Sequence, residues 1–122
     1  NPIFFEHGCI DINKKAGSCI THAHLHAVPI NIDLLNELKS EFVGEEIKNL
    51  CSLKELFQNG VPYLYYENSS AKYIFKLYDP IPSQYIRQLI AIKMNRKDMW
   101  NWRHNPDIET FNNTIKSLIN IL

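Results

Sequence analysis

Three histidines at strict alternation, His22, His24 and His26, constrain this chain more than any other feature. They sit in the stretch THAHLHAV, residues 21–28. In an extended strand, positions two apart point to one face. The three imidazoles then line one side, and Thr21, Ala23, Leu25 and Ala27 face the other. A helix would spread the same rings around its circumference, where they could not act together. Pro29 lacks a backbone donor and suits a strand end. Residues 19–28 therefore read as a strand with a histidine face.

The rest of the chain supplies partners for such a strand. IFFE (3–6) reads as a short apolar strand, joined to the histidine strand by a connection over 7–18 that contains Gly8 and Gly17. The two make an antiparallel hairpin. Leu34, Leu35, Leu38 and Phe42 fall at helical spacing, so 31–42 reads as a helix with Asn31 as its cap and Gly44 beyond its end. Ser52 and Glu55 form a capping-box pattern for a short helix over 52–60 that stops at Gly60. The runs 62–68 and 72–79 are rich in aromatic and β-branched residues and read as a second hairpin, with Tyr63, Tyr65 and Tyr66 packing its strands. A helix over 83–94 carries Ile86, Leu89 and Ile90 on one face. Another over 105–122, capped by Asn105 with Pro106 in its first turn, carries the stripe Ile108, Phe111, Ile115, Leu118 and Leu122. There is no repeat, low-complexity tract or second domain. The expected plan is α+β, an antiparallel sheet of about four strands with helices packed on it, and 80–122 as a helical C-terminal extension of the same domain.

Composition narrows the function classes. The 122 residues suit one domain. The formal net charge is +0 and Lys and Arg are dispersed, which argues against a nucleic-acid polymer as partner. No apolar run approaches the ~20 residues that span a bilayer. The 3 cysteines, Cys9, Cys19 and Cys51, are an odd and sparse set, as in a reduced, cytoplasmic protein. The chain begins at Asn1 and enters a strand almost at once, so a piece of a longer protein is expected.

Burying several imidazoles together is costly unless they are paired or used. A metal site is one use, since imidazole is the commonest metal ligand. Three alternating residues span about 14 Å, however, and one ion with Zn–N near ~2.0–2.1 Å would hold two of them more easily than three. A binding module without chemistry is a second use. Nucleophilic catalysis, with the middle imidazole attacking and its neighbours orienting it and meeting substrate charge, is a third.

The stretch from His22 to Val28, three His alternating with apolar residues, resembles the signature of the histidine triad (HIT) superfamily. FFEHG (4–8) lies one hairpin earlier, where that family has a strand ending near a phosphate-binding polar residue and a Gly. AGSC (16–19) matches the family's Gly-plus-hydroxyl segment just before the triad. The resemblance implies a HIT-like domain whose N-terminal half is missing here, and with it a sheet edge left open to homodimer formation. It implies a nucleotide hydrolase or nucleotidyl transferase acting at an α-phosphate of a nucleotide or nucleotide conjugate. His24 would be the nucleophile and would carry a nucleotidyl-histidine intermediate. His22 would orient His24, His26 would bond a phosphate oxygen or the leaving group, and backbone N–H groups around Ser18 and Cys19 would hold phosphate. No metal or other cofactor is needed. Two positions depart from the family: Cys19 stands where it has Ser or Thr, and Glu6 stands where it has a phosphate-side Asn or Gln. A register one residue off would put His7 there instead. Two alternatives stay open, a non-catalytic nucleotide-binding or regulatory module and a metal-dependent hydrolase using two of the triad.

Other polar groups are weighed on their own chemistry. Gln84 and Arg87, on the first turn of a helix, suit an anion; surface hydrogen bonding is the ordinary reading. Lys14 and Lys15 read as solvated loop charges. Trp100 and Trp102, beside Arg103 and His104, can stack a base or pack the C-terminal helix onto the sheet. Cys51 reads as a buried structural thiol.

Overall fold

The computed structural model describes residues 1–8, 24–101 and 103–119. Its centre is a hairpin of two aromatic strands. In chain order the elements are β1 (Ile3–Gly8), β2 (His26–Val28), α1 (Leu35–Glu41), β3 (Gly44–Glu46), α2 (Cys51–Gln58), β4 (Tyr63–Glu67), β5 (Lys72–Lys76), α3 (Tyr85–Lys93) and α4 (Ile108–Ile119). The strands form one antiparallel sheet in the order β2-β1-β4-β5-β3. The β4–β5 turn is closed by Asn68, whose Oδ1 accepts from the N–H groups of Ser70 and Ala71 at 2.9 Å each.

Both faces of the central strands are covered, which is why their sequences are apolar on successive residues rather than alternating. On one face Ile3, Phe5, Leu64, Tyr66 and Phe75 pack with Leu38 of α1 and Tyr85 and Ile86 of α3. On the other, Tyr63, Tyr65 and Ile74 pack with Ile47 and with Leu56 of α2. Tyr66 also ties the lead-in to α1: its Oη accepts from the Leu34 N–H at 3.0 Å and donates to Asp33 Oδ1 at 3.1 Å.

The structure revises several expectations. The sheet has five strands among the described residues, not about four. The added edge strand β3, GEE, is exposed throughout and has no apolar alternation to mark it. Of the expected strand 19–28, residues 19–23 lie outside the described residues, and His26–Val28 is the part that pairs with β1. Asn31 does not cap α1; that helix begins at Leu35, with the Asp33 carboxylate accepting from the Leu35 N–H at 3.0 Å. The Ser52–Glu55 box is not formed, because α2 begins one residue earlier and Leu50 occupies the cap position. Gly60 ends the turn after α2 as expected, at φ 66°. Asp107 rather than Asn105 caps α4, accepting from the Thr110 N–H at 2.9 Å. The apolar stripe of α4 is exposed, so this helix does not pack on the sheet. Cys51 is exposed, at the first position of α2. No helix among the described residues is long and apolar enough to cross a membrane.

Candidate functional site

Strand alternation assembles the site from β1 and β2. Phe5 faces His26 across the ladder, and the two rings stack with centroids 4.6 Å apart at 16°. The His24 ring lies 4.6 Å from His26 at 52°. His7, two residues along β1 from Phe5, shares its face and meets it edge-on at 6.0 Å. Extending the pairing of Ile3 with Val28 and Phe5 with His26 by two more residues brings His7 level with His24. The result is one face bearing Phe5, His7, His24 and His26, with Arg87 of α3 close enough to act on the charge of His7 and His26.

Charge on this face is set by burial first, then by the neighbouring imidazoles, and last by Arg87. Burial, then the neighbouring His26 and Arg87, hold the His7 imidazole down at about 4. His26 is also held below its ordinary value, by burial first and then by His24 and Arg87. Both rings are therefore neutral at pH 7, and a neutral imidazole keeps one N–H to donate and one lone pair to accept.

Glu6 points the other way. It pairs with Tyr65 on the face of the second core and is buried. Its Oε1 accepts from the backbone N–H of His24 at 3.3 Å. Its carboxylate also takes a hydrogen bond from the Tyr63 hydroxyl; burial first, then the charge and hydrogen bond of Glu6, push that phenol up to about 12. Of the two residues considered for the phosphate side, His7 is thus the one that shares the histidine face, while Glu6 grips the main chain at His24 from behind.

The other predicted residues divide. Arg87 joins His26 at the site. Gln84 does not: it precedes α3 in the left-handed region at φ 60°, and its Oε1 is buried with no hydrogen-bond partner among the described residues. His22, Ser18, Cys19, Lys14 and Lys15 lie outside the described residues, as does Trp102. Trp100 lines a cleft of about 360 Å³ that opens beside His26 and is also walled by Phe5, Arg87, Arg96 and Asp107. Arg103 and His104 are not among its walls. Arg96 and Asp107 escaped the sequence reading, because only the turn after α3 brings them to the sheet end. Among the described residues no three His, Cys, Asp or Glu side chains converge as a metal ion would require. No family model, curated protein or solved structure matches this chain.

Proposed function

We propose that the protein is a HIT-like nucleotide hydrolase or nucleotidyl transferase that works at an α-phosphate through a covalent bond to His24. The supporting observation is the row Phe5–His26–His24, of which Phe5 and His26 line a cleft together with Arg87. Two adjacent imidazoles with a fixed cation nearby suit transfer of a phosphoryl-type group, which depends on alignment and charge stabilisation. A lone pair on His24 attacks phosphorus, the bond to the leaving group breaks, and the leaving group departs with the bonding pair. Neutral His26 offers its N–H to the leaving atom or a phosphate oxygen, and Arg87 balances the charge that develops. Water then attacks phosphorus, the P–N bond breaks, and the imidazole recovers its pair while the water proton passes to solvent. Glu6 keeps the backbone of His24 in place through both displacements.

Intact mass measured seconds after mixing with adenosine and guanosine phosphoramidates and dinucleoside polyphosphates tests this. The expected result is a gain of one nucleotidyl unit that is absent in His24→Ala. Binding with neither adduct nor product would replace catalysis by the non-catalytic module. Product without an adduct, lost on chelation, would point to a metal site.

A further inference from the structure

Among the described residues Glu6 is the one acidic side chain buried outright, and two tyrosines of β4 share its face of the sheet. Tyr65 lies directly opposite it in the ladder, and Tyr63 lies opposite Gly8, on the diagonal. The nearer phenol is not the one that serves it. The Tyr65 hydroxyl donates to Glu67 on its own strand. The Tyr63 hydroxyl donates to Glu6.

Gly8 makes that diagonal reach possible. A Cβ at this position would fall 2.3 Å from Cε1 and Cζ of Tyr63, so the ring lies across the glycine backbone. Tyr63 and Glu6 are both buried, and a carboxylate in an apolar layer must find its donors within the protein. One donor is the Tyr63 hydroxyl, carried by an inner strand of the sheet. Another is the His24 N–H, at 3.3 Å. The paired residues of β1 and β2 run from Ile3–Val28 to Phe5–His26, so His24 lies beyond the end of that ladder. Glu6 ties its main chain back to β1, and Tyr63 ties Glu6 to β4. A nucleophile displaced by even about 1 Å loses much of its rate, so this chain of contacts matters to the chemistry on the far face.

We propose that Tyr63 is a positioning residue for His24: it holds the Glu6 carboxylate where that group accepts the His24 N–H. The assignment rests on His24 as the nucleophile. From the opposite face of the sheet, the phenol acts through Glu6 and not on the substrate.

Tyr63→Phe keeps the ring over Gly8 and removes only the hydroxyl. With whichever of adenosine phosphoramidate and diadenosine tetraphosphate turns over faster, kcat should fall about tenfold. The inhibition constant of AMP should stay within about twofold, since no substrate contact is lost. Tyr65→Phe removes the hydroxyl that serves Glu67 and is the matched control, with kcat expected within about twofold of the natural protein. Glu6→Leu should lose at least as much as Tyr63→Phe, and adding Tyr63→Phe to it should cost less than about a further twofold. Deuterium exchange of the His24 amide, followed by NMR, should speed up about tenfold in Tyr63→Phe, while the amides of Tyr66 and Ile74 keep their rates. An unchanged kcat or an unchanged His24 exchange rate in Tyr63→Phe overturns the proposal. So do equal losses in Tyr63→Phe and Tyr65→Phe, or losses that add in the double variant. If the natural protein turns over neither nucleotide, the catalytic reading has failed and exchange decides alone. A faster His24 amide in Tyr63→Phe then upholds the hold on the main chain, and an unchanged one overturns it.

Discussion

The Nε2 atom of His7 is buried and has no hydrogen-bond partner among the described residues. A buried polar atom in that state costs roughly 1–3 kcal/mol. The same burial keeps the ring uncharged, with its pKa lowered to about 4 against an ordinary 6.5. The unfolded chain therefore binds more protons than the folded one between those values, and stability falls as pH drops from neutral through about 4. The contribution is on the order of 3 kcal/mol. His7→Phe should be at least as stable as the natural protein at pH 7, and it should lose less stability on acidification. Urea midpoints of both proteins at pH 7 and pH 4.5 check this. Equal acid losses in the two would show that His7 gains its proton without cost. Sequence reasoning reached this residue only as a register alternative, because parity along a strand is visible but its absolute phase needs a partner strand. The phase comes from the stacking of Phe5 on His26, which no local pattern announces.

At the scale of elements, α4 stands apart. Ile108, Phe111 and Leu118 are between 56% and 60% exposed, and no residue of the helix is buried. Phe111→Lys should change the stability of the sheet domain by less than about 0.5 kcal/mol, as surface substitutions do. A thermal melt followed by tyrosine fluorescence reports the sheet and not α4, which has no tyrosine. A large loss would mean that the stripe is covered in solution. The helix itself was legible from its spacing, as were the β4–β5 hairpin, α1 and α3. What the spacing could not reveal is whether an apolar face finds a neighbour. β3 was hidden for the opposite reason: it pairs with β5 through main-chain bonds and the polar contacts Tyr73–Glu46 and Lys76–Glu45, so Gly44, Glu45 and Glu46 carry no apolar signal. Cys51 was misread because a small apolar side chain resembles a core residue wherever it lies.

The whole molecule has two apolar layers that share the same strands. Leu64, Tyr66 and Phe75 point into one, while Tyr63, Tyr65 and Ile74 point into the other. Neither layer can come apart without exposing the back of its neighbour, so the sheet should unfold in one step. Leu38→Ala on one side and Leu56→Ala on the other should each cost about 2–5 kcal/mol. Each should move a single urea transition without splitting it, with tyrosine fluorescence and far-ultraviolet dichroism of the sheet coinciding. Two resolved transitions in either variant would show that the layers are independent. The candidate site sits at the end of the first layer, and its histidine face, Arg87 and cleft come from segments far apart in the chain. That is why the triad could be singled out from the sequence while the Arg96 wall could not.

Phe5 belongs to that first layer and is 1% exposed, yet its other flank carries His26. One ring is thus both the last brick of the core and the floor under an imidazole. Random drift at this position has no neutral direction, since a smaller side chain loosens the sheet and tilts the histidine together. Descendants of this chain can vary their loops and helix surfaces widely, but they must inherit this phenyl group along with the histidine it supports.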